Sequence, residues 1–165
     1  MGITTLREVE GKKVSRVKLG SMYFFKYLPK EPTSPYDIYP MVFVIRRMSG
    51  GFEGVNYHHL LLKRRILLFE NMNPYFTDVP LKEDSRLFWK RFRRMIMAVK
   101  KLKAAKISIR KYKIDSIRSK LIEINPPEWE RTLLLSTELF RNVKGRKVAS
   151  RLIQRNNERL MKLLK

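Results

Sequence analysis

The segment Met41-Val42-Phe43-Val44-Ile45-Arg46-Arg47-Met48-Ser49-Gly50-Gly51-Phe52-Glu53-Gly54-Val55-Asn56-Tyr57 decides the architecture. Two runs rich in β-branched and aromatic residues flank Ser49-Gly50-Gly51, and glycine supplies the positive φ that a tight hairpin requires. A β-hairpin is therefore predicted, with Gly50-Gly51 as its turn. No glycine-rich loop of the phosphate-cradling type is present elsewhere.

Working outward, Ser21-Met22-Tyr23-Phe24-Phe25-Lys26-Tyr27 reads as a further strand that ends at Pro29. Between it and the hairpin, Pro32, Pro35 and Pro40 surround Tyr36, Asp37 and Tyr39, a composition suited to an irregular or polyproline-like loop. After the hairpin, Leu61, Leu62, Ile66, Leu67 and Phe69 recur near helical spacing around Lys63-Arg64-Arg65, which predicts a short helix over 60–71. Asn73-Pro74 and Pro80 bracket a break, and Asp84-Ser85 can cap a helix that runs to about Lys106.

That helix is strongly two-sided. At about 100° per residue, Leu87, Phe88, Phe92, Met95, Ile96, Val99 and Leu102 share one broad face and Arg86, Lys90, Arg93, Arg94, Lys100 and Lys101 the other. Residues 107–124 mix β-branched residues with Lys and Arg and suit strand and helix equally. Asn125-Pro126-Pro127-Glu128-Trp129 reads as a turn leading into a short helix or loop, and Thr137-Glu138-Leu139-Phe140 as another. A terminal helix is expected over 147–164, with Val148, Leu152, Leu160 and Leu163 inward and Arg151, Arg155, Arg159 and Lys162 outward. The fold class is α+β: a small antiparallel sheet, partly open and barrel-like, packed with basic amphipathic helices. Residues 1–19 form an extended arm, 20–80 a small β-rich module with a short helix, and 81–165 a basic helical region packed on it within one domain.

The formal charge is +22 at pH 7, with 37 Lys and Arg against 15 Asp and Glu. Self-repulsion on this scale costs stability, so a counter-charge is expected. The excess is uneven, +5 up to Pro80 and +17 beyond it. With no cysteine, disulfides, Cys-ligated zinc and thiol nucleophiles are excluded. The first 18 residues lack the continuous apolar core of a signal peptide, and no run is apolar enough to span a membrane, so a soluble or assembly-held chain is expected.

Between Ser85 and Ile114 stand twelve Lys or Arg and not one acid, so local ion pairs cannot neutralise the stretch. Such a segment suits phosphate backbones, where contacts release counterions without choosing sequence. The candidate contacts are Arg86, Lys90, Arg93, Arg94, Lys100, Lys101, Lys103, Lys106, Arg110, Lys111 and Lys113. Trp89 and Tyr112 are the aromatics placed to stack on unpaired bases, while Phe88 and Phe92 belong to the apolar face.

Catalytic signals are thin. His58 and His59 are adjacent, which makes joint metal ligation awkward and favours a structural role. Neither has a nearby Ser or acid to complete a triad. Glu10, Asp37 and Glu53 do not cluster as a metal-dependent nuclease needs. No cofactor, metal site or catalytic residue is assigned, and no enzymatic activity is expected.

The run Tyr23-Phe24-Phe25-Lys26-Tyr27-Leu28-Pro29-Lys30, then Pro35-Tyr36-Asp37-Ile38-Tyr39-Pro40, the hairpin, and Gly54-Val55-Asn56-Tyr57-His58-His59-Leu60 resemble a group of small virion proteins of tailed bacteriophages. Lys111-Tyr112, Ser119 and Glu128-Trp129-Glu130 continue the likeness, to the DNA end protector and head-neck structural group. The resemblance implies double-stranded DNA, or its portal and neck surroundings, as partner. It also implies residence in the virion, and in the host cytoplasm during assembly. Two rival expectations are a baseplate, tail or neck subunit whose basic face meets acidic virion proteins within a multi-subunit assembly, and an RNA-binding accessory protein.

Overall fold

The computed structural model describes residues 11–72, 86–135 and 137–163. The expected break around Asn73-Pro74 and Pro80, the Asp84-Ser85 cap and Glu10 lie outside the described residues.

The predicted hairpin is β4 (Met41–Met48) and β5 (Gly51–Asn56), with Gly50 at φ 70° in its turn. It belongs to a six-stranded antiparallel sheet with β1 (Gly11–Val14), β2 (Met22–Phe24), β6 (Ile109–Lys113) and β7 (Leu121–Ile124) in the order β1-β7-β2-β4-β5-β6. A second, three-stranded sheet joins β3 (Tyr36–Asp37), β8 (Phe140–Arg141) and β9 (Lys147–Val148) in the order β3-β8-β9. Residues 11–14, within the expected extended arm, thus enter the sheet by pairing with β7.

Strand alternation divides the large sheet's buried residues between two faces. Met22, Phe24, Met41, Phe43, Val55, Ile122 and Ile124 face α1 (Leu62–Met72), α2 (Arg86–Lys101) and α4 (Trp129–Leu133), meeting Leu68, Phe69, Phe92, Met95 and Trp129. Tyr23, Phe25, Val42, Val44, Phe52 and Tyr112 fill the opposite face with Tyr27 and Leu121. There Phe25 meets Phe52 and Tyr112 edge-on, with ring centroids 5.8 and 5.4 Å apart. The sheet curls far enough that the Lys113 amide reaches the Tyr27 hydroxyl at 3.4 Å, and Tyr27 bridges to Ile117. It does not close, because β1 and β6 stay at opposite edges.

Gly54 shows why the hairpin needs glycine beyond its turn. A Cβ there would lie 2.6 Å from the Phe43 carbonyl oxygen and would also strike the Val42 side chain. This close approach sits beside the register shift between Val44 and Arg46, where β4 bends.

Several expectations require correction. The long helix breaks at Leu102, which has extended backbone (φ −75°, ψ 110°), and resumes as α3 (Lys103–Ser108). Residues 107–124, equally suited to strand and helix, supply the end of α3, β6, a tight turn at Ile114–Ser116 and β7. Phe140, expected in a short helix or loop, is strand, since Asp37 offers it a pairing partner. Leu87 is 48% exposed because it lies about 100° round the helix from buried Phe88. The terminal helix α5 (Ser150–Leu163) begins only after β9, so Val148 is in a strand; Ile153 turns inward and Leu152 outward.

Candidate nucleic-acid interface

Helix α2 buries Phe88, Phe92, Met95 and Val99, and this fixes the opposite side toward solvent. Arg86, Lys90, Arg93, Arg94, Lys100 and Lys101 are all exposed there, within an arc of about 120°. The stripe runs for about 24 Å along the axis. Lys103 and Lys106 extend it as exposed residues of α3. Among the described residues no carboxylate pairs with any of these cations. Trp89, 38% exposed, packs edge-on against Phe88 and Phe92.

The remaining three candidates stand together on β6, away from the helix. Arg110 is half-buried, whereas Lys111 and Lys113 are exposed. They form one wall of a pocket of about 340 Å³, with Pro32, Ser34 and Tyr36 of the proline-rich loop opposite. Lys30 also lines it. At the pocket's inner end Arg110 Nη2 donates to His59 Nδ1 at 3.4 Å, while Arg110 Nε is buried without a hydrogen-bond partner among the described residues. Burial, then the positive charge of Arg110, pulls the His59 pKa down to about 3, so the ring is neutral at pH 7 and its Nδ1 accepts. Burial likewise lowers the pKa of Arg110. Tyr112 is only 4% exposed and stacks on Phe52, so it is not available to bases.

One cluster went unread in the sequence. His58 does have an acidic partner, Asp37, and a hydroxyl partner, Thr137 Oγ1, which lies 3.0 Å from its Nε2. The same carboxylate accepts from the Tyr39 and Leu139 amides at 3.1 Å each and from Asn56 Nδ2 at 3.3 Å. Burial alone would raise the Asp37 pKa; the charge and hydrogen bond of His58 and the Leu139 amide overcome it and hold it below the usual carboxylate value. Acid, imidazole and hydroxyl stand in the order of a nucleophilic triad. Yet His58 is 0% and Thr137 3% exposed, so a substrate has no approach and the group acts as a structural lock. Arg65 completes it, donating to the carbonyls of Leu60, His58 and Leu133 and to Glu138 Oε1. The legible signals were Asn56 two residues before His58 and Asp37 inside the proline loop; the Thr137 partner, 79 residues away, had none.

Glu53 is engaged by Arg46 at 2.7 Å rather than standing alone. Among the described residues no three of His, Asp and Glu gather as a metal site would, and no described helix is long and apolar enough to cross a membrane.

The structure is thus an α+β scaffold with a sealed polar lock and a cationic helix turned outward. The chain belongs to the family described as Phage T4 terminal DNA protecting protein, whose model matches residues 3–157. The resemblance read from the sequence is thus to the right family, and that description is one of protection and not of a reaction. No curated protein and no solved structure matches the chain.

Proposed function

We propose that this protein binds the ends of phage double-stranded DNA and shields them, contacting the backbone non-specifically through the cationic side of α2 and α3. The observation that carries the reading is the stripe from Arg86 to Lys106, exposed and without carboxylate partners among the described residues. The α2 part of it, about 24 Å long, matches about seven base pairs of duplex. Arg110, Lys111 and Lys113 add contacts at β6, the edge strand of the large sheet. The chain acts in the virion, and in the host cytoplasm during assembly.

The test is equilibrium binding to linear and covalently closed duplex DNA over a range of salt, alongside protection of linear duplex from an exonuclease. We expect the logarithm of affinity to fall linearly with the logarithm of salt, with a slope of about −0.9 per phosphate contacted, and protection to saturate at a fixed number of proteins per end. Absence of binding at low salt, or binding indifferent to salt, would overturn the reading.

A further inference from the structure

The pocket between the proline-rich loop and β6 differs from the helix stripe in a way that bears on how an end is told from an interior. We propose that it binds the phosphate monoester at a DNA strand terminus, with Arg110 as the central ligand and Lys111 and Lys113 beside it. The inference rests on the DNA-end reading above and names the chemical group recognised.

Shape is the first ground. A continuous duplex lays its phosphates along a surface, as the α2 stripe can accommodate, whereas a concave pocket of about 340 Å³ admits the end of a chain. Chemistry is the second. Arg110 is half-buried, its Nε is out of water and without a partner among the described residues, and such a donor is costly until an acceptor meets it. A guanidinium matches phosphate geometry through two parallel donors, and neutral His59 holds this one by accepting from Nη2. A terminal monoester carries roughly −1.5 to −2 charges at pH 7, about twice the charge of an internal diester, so a desolvated cation favours the end.

Three acids line the pocket, Glu31, Asp37 and Asp115, against four cations, Lys30, Arg110, Lys111 and Lys113, so the lining keeps a net positive charge. Asp37 has both oxygens occupied by His58, Asn56 and the amides of Tyr39 and Leu139. Asp115 is held by Lys30 at 3.3 Å and by Ser116, which leaves Glu31 exposed at the rim.

Short blunt duplexes that differ only in their ends (5′-phosphate, 3′-phosphate or hydroxyl) would be compared by competition, with inorganic phosphate as a further competitor. One phosphorylated end should bind about tenfold or more tightly than the hydroxyl end, and the better of the two identifies the terminus. R110Q should remove most of that advantage, weakening binding of the phosphorylated end severalfold more than binding of the hydroxyl-ended duplex. The exposed double variant K111Q/K113Q should reduce it in part, and it decides the matter should R110Q not fold. Equal affinity for phosphate and hydroxyl ends overturns this inference but leaves end binding intact; loss of all duplex binding by the unaltered protein overturns the underlying function instead.

Discussion

His58 Nδ1 lies 2.5 Å from Asp37 Oδ2, with both side chains almost wholly out of water. Through this pair the proline-rich loop, the turn after the hairpin and the strand-forming segment from Thr137 to Phe140 are fastened at one point. Asp37→Asn removes the charge and leaves the imidazole and two amides poorly matched, so we expect a loss of about 3 kcal/mol or more. Urea denaturation at pH 7 measures it. The salt slope of DNA binding by the folded variant should not change; a variant of native stability would show that the lock is not structural.

Acid should weaken the fold through His59 before the carboxylates titrate. Its folded pKa, about 3, lies below the ordinary 6.5, so between these values the unfolded chain takes up a proton that the folded chain refuses. Stability therefore falls as pH drops through this window. Asp37, also depressed, adds a second loss below its ordinary value of 3.8. Denaturation midpoints from pH 7 to pH 4 should decline for the parent protein, and His59→Gln should flatten that decline.

Arg65 is 3% exposed, although it sits in a Lys-Arg-Arg run that suggests a solvated face. Arg65→Met would leave Glu138 without its partner and three carbonyls without a donor. A destabilisation of roughly 3–5 kcal/mol is expected, against less than about 0.5 kcal/mol for the exposed neighbour Lys63→Met. Parallel thermal and urea unfolding of the two variants checks the contrast.

Gly54→Ala tests the close approach of β5 to β4. With the Phe43 oxygen 2.6 Å from the added methyl, the backbone must shift, and we expect a cost of about 1–3 kcal/mol. Gly50→Ala strains a positive φ in open space instead, so the two losses have different origins.

Neutralising Lys100 and Lys101 together should leave stability within about 0.5 kcal/mol and reduce the magnitude of the salt slope by up to about 2. Titrations of the K100Q/K101Q variant against the parent protein supply the comparison. An unchanged slope would remove the α2 stripe from the interface.

The hairpin, the proline loop and the two-sided helix were legible because their signals are local: a glycine turn, proline spacing and a helical period. The kink at Leu102 was not, since Leu-Lys-Ala-Ala continues a good helical sequence and only the need to enter β6 beside β5 ends it. The strands of 107–124 were equally hidden, because Arg110, Lys111 and Lys113 obscure the alternation that Ile109 and Tyr112 begin. Of the candidate contacts, eight are exposed on α2 and α3, where the helical period placed Arg86 to Lys101. Arg110's separate character became visible only when His59, 51 residues away, was brought against it.

The pairing of β1 with β7 has a further consequence, for the order in which the chain can fold. Gly11 meets Ile124, and the Leu139 amide reaches back across 102 residues to Asp37. Contacts of such separation demand loop closure before they return any stabilisation, which makes this topology slow to form. During synthesis the large sheet cannot be completed until residues 121–124 have emerged, or the polar lock until residue 139 has. Of the large sheet's pairings only β4-β5 joins strands linked by a tight turn, so it is the one that can form before the chain's later segments arrive.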